Sequence, residues 1–189
     1  MSNAPRREYL EVECKIPIPD REALARRLCD LGAEDGGDAL ERNRLFDTPD
    51  GTLRASGRLL RLRDYQGAVL TYKGGVLPSG DFKRREEINC PVASFEDARE
   101  ILKRLGYGET WYYEKRRHLW RYRNSAVALD LLPGLGAFIE VEGDSAEAID
   151  AVLEDLCLDR GRHVPKTYLE LFAEHCAAEG RPLEPMRFS

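Results

Sequence analysis

No stretch of the sequence approaches the roughly 18 consecutive apolar residues that a membrane-spanning helix requires, and Met1 to Arg7 lacks the apolar core of a secretory signal. A cytoplasmic protein with no membrane partner is the expectation. Cysteine is sparse and scattered: Cys14, Cys29, Cys90, Cys157 and Cys176 are odd in number and form no CxxC pair. That pattern offers neither a disulfide framework nor a zinc site, and reduced, mostly buried thiols are expected. The histidines His118, His163 and His175 lack the spacing of a metal-binding helix and are expected to be structural. There is no basic excess either. The formal net charge of −5 argues against a nucleic-acid partner, which calls for a basic face, so Lys83-Arg84-Arg85 and Lys115-Arg116-Arg117 have to be judged by position. Internal repeats and low-complexity linkers are absent too, and a chain of 189 residues can bury one proper core, so one domain is expected.

What the chain does have is charge, 33% of residues against a usual quarter, beside 42% hydrophobic residues. Glu8 to Ile16 alternates charged with apolar residues, the period of a strand, and Pro17 and Pro19 are expected to end it. Asp20 caps a helical pattern through Leu24, Leu28 and Leu31, which Gly32 stops. Strands are predicted over Asn43 to Asp47, Arg58 to Tyr65 and Ala68 to Lys73, then turns at Gly74-Gly75 and Pro78-Ser79-Gly80 and a strand from Phe82 to Cys90. Ser94 caps a second helix through Leu105. Thr110 to Tyr122, Ala126 to Leu132 and Phe138 to Glu142 read as antiparallel strands, the last two joined by a hairpin turn at Gly134-x-Gly136. Helices over Ala146 to Cys157 and Pro165 to Ala178 close the pattern.

Alternate residues of a strand share a face. Glu11, Glu13 and Lys15 therefore line up, as do Arg61 with Arg63, Thr71 with Lys73, Arg85 with Glu87, Lys115 with Arg117, and Glu140 with Glu142, with Asp130 alone on its strand. Leu60, Leu62, Leu129, Leu131, Ile139 and Val141 lie on the opposite faces. For any one strand, a sheet with one face in water explains this. Across many strands, the apolar stripes of the helices need a partner, and the apolar strand faces are the only large surface on offer. Helices outside put the charges inside, and about eight strands close into a barrel that can hold one ligand. The fold class expected is α+β, a closed eight-stranded antiparallel β-barrel with helices packed outside. Unpaired charges so buried cost several kcal/mol each, of order, unless a ligand compensates them. Arginine and lysine suit polyphosphate oxygens. Carboxylates beside that anion call for hard cations such as Mg²⁺ or Mn²⁺ between them.

Glu11-x-Glu13-x-Lys15 resembles the ExExK signature of the CYTH superfamily, the triphosphate tunnel metalloenzymes, and the ordered set continues through Arg61-x-Arg63, Lys73, Arg85-x-Glu87, Lys115-x-Arg117, Asp130, Glu140-x-Glu142 and Lys166. The likeness runs from residue 8 to about 172 and leaves a tail at 180–189 within a single domain over 1–189. It implies metal held by Glu11, Glu13, Glu140 and Glu142, with Glu87 and Asp130 as further carboxylates. It also implies a phosphate clamp of Lys15, Arg61, Arg63, Lys73, Arg85, Lys115 and Arg117, and a lysine, Lys166, on the helix that closes one tunnel end. Glu11, Glu13, Lys15, Lys73 and Glu142 are the catalytic candidates. Arg84, Glu86 and Arg116 have the opposite parity and read as surface. Trp111, Tyr112, Tyr113, Trp120 and Tyr122 read as strand core.

The expected function is hydrolysis of an inorganic or nucleoside triphosphate with Mg²⁺ or Mn²⁺. The alternative is a class IV adenylate cyclase, in which the 3′-hydroxyl of ATP attacks the α-phosphorus. Leu59 stands where animal thiamine triphosphatases carry an aromatic, which counts against that substrate. The partner expected is a triphosphate such as tripolyphosphate or ATP, and the resemblance is compatible with a homodimer.

Overall fold

A computed structural model describes residues 10–77 and 83–188. The chain runs β1 (Leu10–Ile18), α1 (Arg21–Asp30), β2 (Glu34–Asp47), α2 (Thr52–Ala55), β3 (Leu59–Asp64), β4 (Ala68–Leu77), β5 (Lys83–Val92), α3 (Phe95–Arg104), β6 (Gly108–Tyr122), β7 (Ser125–Leu132), β8 (Gly136–Gly143), α4 (Ala146–Asp155), a 3-10 turn (Arg160–Arg162) and α5 (Tyr168–Ala178). All strand pairs are antiparallel, and the ladder closes on itself in the order β1-β5-β4-β3-β2-β6-β7-β8. The expected eight-stranded barrel is present.

The alternation in sequence sets the layers. Val12, Cys14 and Ile16 of β1, Val127 and Leu129 of β7, and Ile139 and Val141 of β8 face outward and bury themselves under Leu28 of α1 and Ile149, Val152 and Leu153 of α4. On another side Ala98 and Leu102 of α3 cover Leu62 and Phe46. Each long helix starts where the sequence offers a cap: Asp20, Ser94, Ser145 and Thr167 accept from backbone N–H groups one turn on, and Thr167 with Glu170 completes a capping box. Tyr168 and Phe172 of α5 pack with Leu45, Tyr113, Leu132 and Phe138, which stoppers one end of the barrel.

Four expectations need correction. Pro17 does not end β1, which continues to Ile18 with Pro17 opposite Phe138. Among the described residues β5 pairs β1 from Leu10 to Glu13, so on that side no described strand stands beside Pro17 to need its missing N–H. Gly74-Gly75 is no turn: β4 runs on to Leu77, with a register shift between Lys73 and Val76. A Cβ on Gly74 would stand 3.2 Å from that of Glu86, so glycine lets the strands approach at the irregularity. β2 starts nine residues earlier than Asn43, at Glu34. Of the five cysteines, only Cys14 and Cys176 are buried. The predicted turn at Pro78-Ser79-Gly80, the strand starts at Glu8 and Phe82, and the side chain of Glu11 lie outside the described residues.

Candidate functional site

Inside the barrel lies a cavity of about 120 Å³ whose wall brings together Glu13, Lys15, Arg61, Arg63, Lys73, Arg85, Glu87, Lys115, Arg117, Glu140 and Glu142. Six strands contribute these residues, β4 through Lys73 alone and the other five through residues two apart, because only one parity of each strand faces in. Glu11 lies in register with Arg85. Arg116 and Glu86, of the other parity, are exposed, and Arg84 is half-buried on the outer side.

The inner part of the cavity is a dense ion network. Asp130, fully buried, accepts from Lys115 Nζ at 2.9 Å, Arg117 Nε at 2.8 Å, Arg117 Nη2 at 2.7 Å and Tyr168 Oη at 3.0 Å. Three N–H donors and one hydroxyl point at it, three of the four on Oδ2, so in this structure Asp130 anchors the cations. Glu140 likewise pairs with Lys15 Nζ at 3.2 Å and with Arg117 Nη2. Burial alone would raise its pKa, but Lys115, Lys15 and Arg117 hold it well below the carboxylate range. Lys15 has a third acceptor in the Lys166 carbonyl at 3.2 Å, beside Glu140 and Glu13 at 3.3 Å, and its Nζ stands 4.3 Å from the centre of the Tyr168 ring. Burial disfavours its charge, yet Glu13 and Glu140 raise its pKa above the lysine norm, so Lys15 is a fixed cation and not a base.

Two groups stand among like charges, although Arg63 also lies 4.0 Å from the Glu41 carboxylate. Arg63 has its proton affinity lowered by burial and by the neighbouring Arg61, with Arg117 adding to the effect. Glu142, exposed at the rim, is pushed the opposite way, its pKa raised by desolvation and by the carboxylates of Glu87 and Glu13. An arginine pressed by arginines wants an anion, and a carboxylate pressed by carboxylates wants a cation.

The sequence pattern of the CYTH domain matches residues 9–168. This chain belongs to the CYTH family. It is 30% identical over 172 residues, 86% of this chain and 98% of the other, to a Methanocaldococcus jannaschii protein named "Putative adenylate cyclase MJ0240". The solved structure of PH1012 from Pyrococcus horikoshii is 28% identical, with a TM-score of 0.72, covering 85% of this chain and 98% of that one. The Hippeastrum protein HpAC1, named a "putative adenylyl cyclase" and described with a dominant triphosphatase activity, shares the fold at 19% identity with a TM-score of 0.66, over 92% of this chain and 97% of its own.

The CYTH barrel also contains residues that the sequence reading passed over. Glu41 of β2 is fully buried, 3.4 Å from Lys115 Nζ, and it accepts from Asn43 Nδ2 at 2.9 Å. Desolvation works against its charge, but Lys115, Arg117, Arg61 and Arg63 bring its pKa down to about 2. Tyr113 and Tyr168, assigned to the core or not singled out, line the cavity. Glu87 is oriented by Asn89 Nδ2 at 2.9 Å, itself held by Thr71 Oγ1 at 2.7 Å, and pairs with Lys73 at 2.5 Å. Lys166 departs from expectation: its side chain is on the surface, with Nζ 2.6 Å from Glu174, and only its carbonyl turns inward. Helix-start geometry explains this, since Lys166 precedes the Thr167 cap and its side chain diverges from the barrel while its backbone still borders β1.

The carboxylates fit a hard divalent ion by donor type. Among the described residues no group of three or more His, Cys, Asp or Glu side chains converges as a metal cage. The rim carboxylates Glu13, Glu87 and Glu142 are the ones whose mutual repulsion such an ion would relieve. Among the described residues no helix is long and apolar enough to cross a membrane.

Proposed function

We propose that this CYTH protein is a divalent-metal-dependent triphosphatase that hydrolyses inorganic or nucleoside triphosphate. The observation that carries the reading is one cavity whose wall brings the cations Lys15, Arg61, Arg63, Lys73, Arg85, Lys115 and Arg117 together with the carboxylates Glu13, Glu87 and Glu142. A triphosphate with its metal ion satisfies both at once. Arg61, Arg63, Lys73, Arg85, Lys115, Arg117 and Lys15 would hold phosphate oxygens; Asp130, Glu41 and Glu140 keep the buried part of that set charged and aimed. Glu13, Glu87 and Glu142, with Glu11, would hold Mg²⁺ or Mn²⁺, whose chemistry is to neutralise the polyphosphate and polarise its phosphorus centres.

Hydrolysis asks little covalent work of the protein. Water adds to the terminal phosphorus, the bridging P–O bond breaks, and the arginines and lysines take up the charge that grows on the departing diphosphate. Among the described residues, no asparagine or glutamine lines the cavity to read a purine edge; its uncharged lining is Leu59, Leu119, Ala126, Ala128, Thr167 and the two tyrosines. This favours recognition of the phosphate chain over the nucleoside.

A second reading, a class IV adenylate cyclase, is supported by the name of the Methanocaldococcus relative. The same cation set would serve it, with the α-phosphorus as the centre attacked. The test is product identity. Purified protein is incubated with tripolyphosphate or ATP and Mg²⁺ or Mn²⁺. Orthophosphate supports hydrolysis, cyclic AMP with pyrophosphate supports cyclisation, and no turnover of either compound would sink both readings.

A further inference from the structure

Beyond Glu13, the side of β1 that faces away from β8 has no strand paired with it among the described residues, where β5 pairs from Leu10 to Glu13. A short segment between α4 and α5 fills that edge. His163 Nδ1 accepts the Lys15 backbone N–H at 3.1 Å, the Val164 N–H donates to the Lys15 carbonyl at 2.8 Å, and Arg162 Nη2 donates to the Pro17 carbonyl at 3.0 Å. Two residues on, past Pro165, the Lys166 carbonyl accepts from Lys15 Nζ at 3.2 Å. Lys15 is thus held at its amide nitrogen, its carbonyl and its ammonium by His163, Val164 and Lys166, with Pro165, whose φ is fixed, between the last two.

We propose that His163 is a positioning residue that sets the place of the Lys15 ammonium in the tunnel. The same Nδ1 also stands 3.3 Å from the Lys15 carbonyl oxygen, so the ring meets both polar groups of that backbone edge; in accepting from the amide, which always carries its proton, Nδ1 would present a lone pair in the neutral ring with its proton on Nε2. The side chain of Lys15 leaves a strand whose tilt at that residue is fixed on one side by the Glu140 pairing and on the other by His163 and Val164. The ammonium has three donors, and Glu13, Glu140 and the Lys166 carbonyl match them. Losing the His163 contact frees the amide edge, and the hold on Nζ loosens with it, because the same segment supplies both. The functional part of this inference rests on the reading of Lys15 as a phosphate-facing cation.

Two variants and one spectroscopic measurement test it. His163→Ala removes the acceptor; His163→Asn offers an amide oxygen near the place of Nδ1 with no imidazole. In Mg²⁺-dependent tripolyphosphate hydrolysis, His163→Ala is expected to lower kcat about tenfold or more with KM little changed, since small displacements of a charged group are costly in the transition state. His163→Asn is expected to restore most of the loss. Independently of any substrate, ¹⁵N-edited NMR of the unmodified protein should show His163 as the Nε2–H tautomer, and the Lys15 amide proton should shift upfield in His163→Ala. A protonated Nδ1 in the neutral ring, an unmoved Lys15 amide, or a kcat loss that asparagine does not rescue would overturn the proposal. If the unmodified protein turns over no triphosphate, the triphosphatase reading fails, and the His163 assignment is decided by the NMR result alone.

Discussion

Tyr168 Oη lies 3.0 Å from Asp130 Oδ2, so the first residue of α5 donates to the carboxylate that also binds Lys115 and Arg117. Helix and tunnel floor are thereby one polar unit. Asp130→Asn would remove the charge and leave two buried cations short of an anion, a change that costs about 3–5 kcal/mol in comparable pairs. Tyr168→Phe would delete one hydrogen bond, worth about 1 kcal/mol. At roughly 2–4 °C per kcal/mol for a chain of this size, thermal melts should separate the two clearly. Equal midpoints would mean that Asp130 is not the anchor of the network.

Two carboxylates should respond to pH in opposite directions. Glu41 has its pKa depressed from 4.5 to about 2, so its contribution to stability is present above pH 4.5 and is lost as pH falls toward 2. Glu142 has its pKa raised, so the folded state binds the extra proton; stability falls as pH rises from 4.5 through the folded value, and the penalty persists above it. Glu41→Gln should therefore lower the ligand-free melting midpoint at pH 7, with the difference shrinking in strong acid. Glu142→Gln should raise the midpoint at pH 7 and abolish turnover. Melting curves from pH 3 to 8 check both, and a Glu142→Gln protein less stable than its parent at pH 7 would contradict the crowding at the rim.

Arg63 faces the cavity, Arg116 faces solvent, and the Lys166 side chain is tied to Glu174 on the surface. Arg63→Ala should weaken tripolyphosphate binding by about 10- to 100-fold, the loss of a charge-assisted hydrogen bond or two. Arg116→Ala and Lys166→Ala should stay within about threefold, since solvent-exposed charges contribute little. Calorimetric titration with Mg²⁺ present provides the comparison. Similar losses in all three would mean that general charge, not the cavity wall, binds the anion.

The alternation of charged and apolar residues made the strand faces legible, since a period of two is enough to sort Arg61 from Leu62 and Glu140 from Val141 once helices are known to need a cover. Nothing comparable announced Glu41. It follows Gly36-Gly37-Asp38, which has the composition of a loop, and only the bulge between Asp35 and Asp38 lets β2 run through these residues and keep its pairing with β6. Asp130 was legible as an inward charge but not as an anchor: Arg117 stands directly opposite it on the neighbouring strand, but which side-chain atoms meet, and that Tyr168 reaches it from α5, depends on the folded packing. Lys166 misled for a different reason: backbone and side chain part company at a helix start, and a sequence shows only the side chain.

Ligand should stabilise the whole fold, because metal and triphosphate would relieve the crowding at Arg63 and Glu142 together. At about a hundred times the dissociation constant, linkage adds roughly 2.7 kcal/mol, several degrees of melting midpoint for this chain length. Tripolyphosphate with Mg²⁺ should exceed orthophosphate with Mg²⁺, since only the longer anion spans cations from several strands. Differential scanning fluorimetry at millimolar concentrations provides the check, and an unmoved midpoint would remove the case for a triphosphate cavity.

Glu13 of the first strand stands opposite Glu142 of the last. The seam of the barrel therefore joins the two ends of the strand sequence, and the wall cannot close until nearly all of it has left the ribosome. Pairing across such a separation is slow, because the entropy of closing the loop is lost before any contact rewards it. During that wait β1 stands without its β8 neighbour, and its row of Glu and Lys residues is in water. A strand of purely apolar residues would stick to other chains in that interval. The charges that line the tunnel would thus also lessen the hazard of an unpaired first strand, whose other face, Val12, Cys14 and Ile16, is apolar.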